Sequence, residues 1–306
     1  MSNQDLTEEL ILRLEEKGCQ VRIVSAGHLN ELQEGIETKH ASGLFDEGLY
    51  REYLTGFSFK FPHAILDPQS MIAVAVPQSQ TRVTFTWRGE PRAVTVPPTY
   101  VSHRETDRRV EHILSGILNA GGYHVVRATL PVKHLAVCSG LGDYGRNNLC
   151  YVPRMGSFHR LVAFCSNMPC LEDRWREPQL LSSCQRCRAC VDSCPTGAIP
   201  TDRFLLRAER CLTFHNERSG EIPSWIDPSW HHCLVGCLAC QRVCPRNAGF
   251  LERVDGDRIF SEEETRLILS REPQNRLPPE TVRKLDELDL LEYLDVLPRN
   301  LNALFG

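Results

Sequence analysis

Ten of the fourteen cysteines fall between Cys170 and Cys244, and most of them form two runs that each end in Cys-Pro. The first is Cys184-x-x-Cys187-x-x-Cys190-x-x-x-Cys194-Pro195, and the second is Cys237-x-x-Cys240-x-x-x-Cys244-Pro245. Three thiolates at this spacing cap three corners of one iron–sulfur cubane, while the fourth is carried away on a new turn to serve another cluster. No other feature restricts the fold and chemistry of the chain as far.

Crossed ligation assigns Cys184, Cys187, Cys190 and Cys244 to one 4Fe-4S cluster, and Cys194, Cys237 and Cys240 to a second. The second run is one cysteine short of the first pattern, because Cys233 precedes Cys237 by four residues rather than three. Its missing ligand is therefore Cys211 or Cys233. Paired Cys-x-x-Cys units also build structural zinc sites. A third cysteine at the same spacing and a proline directly after the last one are features of the cubane runs instead. A disulfide scaffold does not suit a chain of this length that opens on a polar, acidic segment (Asn3 to Glu9) without a signal peptide. The cysteines are expected to be metal-bound or buried in a reducing cytoplasm.

With 306 residues, 42% of them apolar, the chain is sized for about two domains with real cores. No apolar stretch approaches the roughly twenty residues of a membrane span, so no membrane partner is expected. Net charge is −4, which excludes a global basic footprint for nucleic acid. Arg186, Arg188, Arg203, Arg207 and Arg210 gather around the first run, as a solvated face or as a dock for an acidic electron donor.

Periodicity predicts a helix from Leu6 to Lys17 and a strand from Gln20 to Ser25, with Met71 to Val76 a buried strand by its continuous apolar character. Thr81 to Thr86 and Arg92 to Val96 flank Arg88-Gly89-Glu90-Pro91 as a β-hairpin. Asp107 to Ala120 reads as a helix, stopped by Gly121-Gly122 before a strand from Tyr123 to Ala128. Helical turns are expected over Phe204 to Arg210, over Glu262 to Ser270 capped by Ser261, and over Pro279 to Tyr293. Between Leu141 and Ser157, glycines and asparagines permit unusual backbone angles and close approach to a ligand.

Several longer stretches carry a resemblance. They are Ser139-Gly-Leu-Gly-Asp-Tyr-Gly-Arg-Asn-Asn148, Cys190-x-x-x-Cys194-Pro-Thr-Gly-Ala-Ile199, Arg207-Ala-Glu-Arg-Cys-Leu-Thr213, Gly220-Glu-Ile-Pro223 and Gly236-Cys-Leu-Ala-Cys-Gln-Arg-Val-Cys-Pro-Arg-Asn247. In this order they resemble the epoxyqueuosine reductase family, related to the reductive dehalogenases. The resemblance implies an α/β (α+β) chain in three parts. Residues 1–175 would form a nitroreductase-like α/β domain holding cobalamin and substrate, 176–250 a bacterial ferredoxin-like domain with two 4Fe-4S clusters, and 251–306 a helical tail. It implies Cys211 rather than Cys233 as the eighth ligand. It brings Gly140, Gly142, Tyr144, Gly145, Arg146 and Asn147 to the corrin, and leaves Tyr100, His103, His134 and Tyr144 as proton donors, with Tyr100, His103 and Tyr144 the catalytic candidates. Cys138 and Cys150, on either side of the glycine loop, read as buried small apolar side chains.

Two departures shape the expected substrate. The family's acidic proton donor falls where this chain has Val125, Val126 and Arg127, and the further helical-repeat domain of the tRNA-acting reductases is missing after an acidic tail. The expectation is a short, divergent, cytoplasmic, cobalamin-dependent reductase of a small organic molecule, fed by a low-potential donor such as ferredoxin or flavodoxin. An electron-transfer protein reducing the corrinoid of a partner is the alternative. Epoxyqueuosine reduction is the second alternative, and tRNA is not expected as a partner.

Overall fold

The apolar run at residues 71–76 is the core of a strand, Ser70–Pro77, in the computed structural model, which describes residues 2–306. It is apolar throughout because both of its faces are covered. Met71, Ala73 and Ala75 enter one hydrophobic cluster, and Ile72, Val74 and Val76 enter the other. The strand is central in an antiparallel four-stranded sheet ordered Gln20–Ser25, Ser70–Pro77, His159–Ser166, Val125–Arg127. The helices Asn3–Glu16 and His103–Ala120 cover one face through Leu6, Leu10, Leu14, Val110, Leu114 and Leu118. Leu29 and Leu32 of Leu29–Ala41 and Leu135 to Val137 of Val132–Cys138 cover the other. The first helix starts where Ser2 and Asp5 form a reciprocal capping box.

This sheet and its helices are one compact unit, Met1–Pro77 with Glu105–Cys187. The second unit is Gln78–Arg104 with Arg188–Gly306. The division differs from the three consecutive parts 1–175, 176–250 and 251–306, for a physical reason. The hairpin Gln80–Trp87 and Glu90–Val96 gains a third strand, Val254–Phe260, paired in parallel with Gln80–Trp87. The hairpin turn places Arg88 (φ 54°) and Gly89 (φ 76°) in the left-handed region, as a two-residue mirror-image turn demands. Val83, Phe85, Val94 and Val96 pack with Leu234, Val235, Phe260, Ile268, Leu285 and Leu301 into one core. The hairpin, the second cysteine run and the helical tail thus share a core.

Ser261 and Glu264 form a capping box at the start of Glu262–Leu269. The helix expected over Pro279 to Tyr293 is interrupted. It runs Pro279–Glu287, then breaks where Asp289 takes φ 53° and its carboxylate accepts from the backbone N–H and guanidinium of Arg104. A further helix, Leu297–Phe305, closes the chain. Of the turns expected over Phe204 to Arg210, only the short Ala208–Arg210 turn forms. Among the described residues no helix is long and apolar enough to cross a membrane.

Candidate functional site

In the second unit the short helices Ala189–Asp192 and Ala239–Arg242 pack together, so the ends of the two cysteine runs are neighbours. The thiols of Cys194, Cys211 and Cys237 lie within electrostatic reach of one another. Burial pushes the Cys237 thiol up to about 12, and the charges of Cys211, Cys233 and Cys194 push in the same direction. Cys211 is raised by burial too, against hydrogen bonding from Thr213, at the N-cap of Leu212–Glu217. Thiolates gathered in this way repel one another unless cationic iron lies among them. Cys233 is fully buried and pushed up to about 12 chiefly by burial. All fourteen cysteines are free of disulfides. Cys184 and Cys187 end the first unit, whereas Cys190, Cys240 and Cys244 belong to the second.

Tyr100 lies against the turn that opens the second run. A Cβ on Gly236 (φ 64°) would stand 2.6 Å from its hydroxyl, so only glycine admits the ring there. That hydroxyl donates to Glu217, a residue the sequence reading missed. Burial raises the Glu217 carboxyl to about 7, while the Tyr100 bond pulls it down. Tyr100 itself is raised well above the usual phenol range, first by burial and then by Glu217. Of the two, Glu217 alone titrates near neutral pH, and Tyr100 lies close enough to Cys211 for its charge to be felt there. His103 is engaged differently. Its Nδ1 lies 3.1 Å from the Tyr100 carbonyl and 3.2 Å from Asp289, in the contacts that tie Arg104 and Asp289 together.

His232, also unforeseen, stands beside the second cluster's ligands. Its Nδ1–H donates to the Trp230 carbonyl at 2.9 Å, and its Nε2 accepts from the Leu238 amide at 3.0 Å, 3.8 Å from the Cys237 sulfur. No periodicity or motif marks Glu217 or His232; only the fold brings them to the cysteines.

In the first unit, the glycine loop forms the short paired strands Asp143–Tyr144 and Cys150–Tyr151. Tyr144 is buried, its hydroxyl 3.2 Å from His134 Nδ1, with Cys138 about 4 Å from the same ring. Burial, helped by Lys39 and Lys133, lowers His134 to about 4, so it is neutral at physiological pH. The other loop groups have contacts within the fold. A Cβ at Gly142 would lie 2.6 Å from the Tyr151 carbonyl, and at Gly145 it would lie 2.6 Å from Asn147 Oδ1 and against the Tyr151 ring. Within the chain, these two glycines make room for Tyr151 and Asn147. Arg146 donates to the Cys184 and Gln185 carbonyls, and Asn147 to the Tyr151 hydroxyl. Asp143 is paired by Arg176. Only Gly140 (φ 72°) has loose surroundings, with Arg176 Nε 3.5 Å from its Cβ position.

Where an acid was sought, at residues 125–127, the side chain that matters is Arg127. It pairs with Asp107, which is 1% exposed and also accepts two hydrogen bonds from Arg160, at 2.6 and 2.8 Å. The position carries the structural tie between the strands Val125–Arg127 and His159–Ser166 and the helix His103–Ala120.

Comparison with known proteins extends these observations. Residues 183–247 match the 4Fe-4S double cluster binding domain, a span that includes all eight proposed ligands. The epoxyqueuosine reductase of Staphylococcus aureus is 26% identical over 260 residues, covering 80% of this chain and 64% of that protein. That of a Synechococcus strain is 34% identical over 152 residues, 47% of this chain and 46% of the relative. The chain thus spans less than two thirds of the length of these curated relatives. Among solved structures, epoxyqueuosine reductase from Streptococcus thermophilus superposes with a TM-score of 0.70 at 19% identity, covering 98% of this chain and 80% of that one. An epoxyqueuosine reductase with an epoxyqueuosine-modified tRNA-Tyr stem loop gives 0.72 at 20% identity, covering 99% and 82%. These likenesses overturn the expectation of a small organic substrate, and with it the expectation that tRNA is no partner. The matching relatives are named for epoxyqueuosine, and one of them is solved with a tRNA stem loop.

Proposed function

We propose that this chain, a member of the epoxyqueuosine reductase-like family, removes the epoxide oxygen of epoxyqueuosine in tRNA. The observation that carries the reading is the length of the similarity to the Staphylococcus aureus reductase. It runs over 260 residues, far beyond the cluster segment 183–247, so more than a shared electron-transfer module is in common.

Opening an epoxide to a carbon–carbon double bond consumes two electrons and two protons and releases water. Each 4Fe-4S cluster carries one electron at low potential, so a pair of clusters holds what one turnover needs. We assign Cys184, Cys187, Cys190 and Cys244 to one cluster, and Cys194, Cys211, Cys237 and Cys240 to the other. Cys194, Cys211 and Cys233 all act on the Cys237 thiol, so the choice of Cys211 over Cys233 rests on the family resemblance. Cobalamin, the further cofactor of this reading, would supply the strongly reducing cobalt centre. Gly140, Arg146 and Asn147 would contribute to holding it: Arg146 keeps a buried Nε without a partner beside its bonds to the Cys184 and Gln185 carbonyls, and Asn147 donates to Tyr151.

For protons, Glu217 answers the missing acid at 125–127. A carboxyl titrating at about 7 holds a proton at neutral pH and releases it readily, and the Tyr100 hydroxyl, which donates to it, fixes its position. Tyr144 and His134, 3.2 Å apart in the first unit, form a hydrogen-bonded pair of neutral groups. A cytoplasmic setting follows from a tRNA substrate and oxygen-sensitive clusters.

The test is anaerobic. Protein with reconstituted clusters, cobalamin, a chemical reductant and an anticodon stem loop bearing epoxyqueuosine should yield queuosine, seen as loss of one oxygen by mass spectrometry. Unchanged stem loop in the presence of reduced clusters and bound cobalamin would reject the reading.

A further inference from the structure

A surface cavity of about 600 Å³ opens in the second unit, lined by Pro195, Thr196, Gly197, Glu209, Arg210, Trp225 and Trp230. Two of its walls continue directly into ligands of the second cluster: Pro195 follows Cys194 and Arg210 precedes Cys211. The Thr196 hydroxyl lies 3.5 Å from the Cys194 sulfur. A third wall is aromatic. Trp225 is 44% exposed, an unusual cost for an indole that no core needs, and the Arg210 guanidinium stands 5.9 Å over its ring. At Gly197 a Cβ would meet nothing within 4 Å, so the floor is open.

We propose that this cavity is the electron-entry port of the second cluster, and that its occupant is the reduced flavin ring of a small acidic donor protein. Three features select that chemistry. Indole faces beside a guanidinium favour a planar, anionic aromatic ring. A wall made by ligand-flanking residues suits a one-electron donor, which flavin hydroquinone is and a nicotinamide, as a hydride donor, is not. Arg203, Arg207 and Arg210 together outnumber Asp202, 3.8 Å from Arg207, and Glu209 of the lining, and this excess of positive charge extends past the reach of one ring and complements an acidic protein surface. In the transfer, the anionic hydroquinone loses one electron and becomes the neutral semiquinone. The cluster passes from its 2+ to its 1+ state, and no proton moves.

The inference rests on the reductase reading for its purpose, but its test does not use tRNA. Stopped-flow bleaching of the cluster absorbance is followed in holoprotein with three reductants: flavodoxin hydroquinone, free FMN hydroquinone and dithionite. Trp225→Leu and Arg210→Gln should each weaken the flavodoxin-driven phase by about tenfold, the order of magnitude of one lost aromatic or cation–π contact, while dithionite reduction and iron content stay as in the wild type. Raising the salt concentration should slow the flavodoxin arm most. Equal rates in wild type and both variants would overturn the port, as would equal slowing by all three reductants at full iron content. A defect confined to free FMN, with flavodoxin unaffected, would overturn the donor protein as occupant. Should Trp225→Leu lose iron, Arg210→Gln and Trp230→Leu carry the same comparison.

Discussion

Acid should loosen the first unit well before any carboxylate explanation is needed. His134 and His159 are both 8% exposed, and burial is the main cause that holds each imidazole at about 4, against about 6.5 in an unfolded chain. His159 is tied only through Nε2, 3.1 Å from the Cys150 carbonyl, and its Nδ1 is buried without a partner. Both rings are neutral in the folded protein at pH 5, where the unfolded chain would protonate them. Stability from this source is therefore complete above about pH 6.5, falls as pH drops toward 4, and is flat below that. Each ring costs about 2 kcal/mol between pH 7.5 and 5, and about 3 kcal/mol at the lower plateau. Taken as independent, the two remove about 4 kcal/mol at pH 5, a large part of a typical domain's 5–15 kcal/mol. Hydrogen exchange of the central strands Ser70–Pro77 and His159–Ser166, corrected for intrinsic rates, reads this directly as falling protection. His159→Gln should halve the slope, whatever it does to stability at pH 7.5. Protection independent of pH over this range, or a full slope retained in His159→Gln, would refute the reasoning.

Two further outcomes follow from the sites. Cys211→Ala should convert one cluster to a three-iron form or lose it, while Cys233→Ala keeps both; iron and sulfide analysis with electron spin resonance distinguishes them, and the reverse result would move the eighth ligand to Cys233. Glu217→Gln should lower turnover of epoxyqueuosine-bearing stem loop and remove the limb of the pH–rate profile near 7, with cluster reduction by dithionite unaltered. An unchanged profile would separate Glu217 from proton supply.

The sequence made legible what is local or periodic. The cysteine runs announce the clusters through spacing alone, Ser261 and Glu264 announce a helix start, and a turn at Arg88-Gly89 announces the hairpin. Other features depend on partners far along the chain. Nothing in Gln80–Trp87 says that Val254–Phe260 will pair with it in parallel, yet this pairing decides where the compact units divide. The break at Asp289 depends on Arg104, some 185 residues earlier. The loop at 139–148 is legible in part: its glycines mark close approach, and within the chain Tyr151 is the group that approaches Gly142 and Gly145.

The same distinction bears on the substrate. Val125, Val126 and Arg127 read as an absent acid only if a proton donor must recur at one place along the chain. Arg127 is instead bound to the buried Asp107, together with Arg160, and leaving that carboxylate short of its partners would cost about 3–5 kcal/mol. A position so committed to holding a helix on a sheet is not free to serve chemistry. A carboxyl whose proton is available at neutral pH has to be created by burial, and burial is a property of the fold. Glu217 acquires it under Tyr100, on a segment that follows Cys211 and has no counterpart to the sought strand position. Under the proposed reduction, the carboxyl that titrates near neutral and the proposed cluster ligand Cys211 would stand on one short helix and its cap.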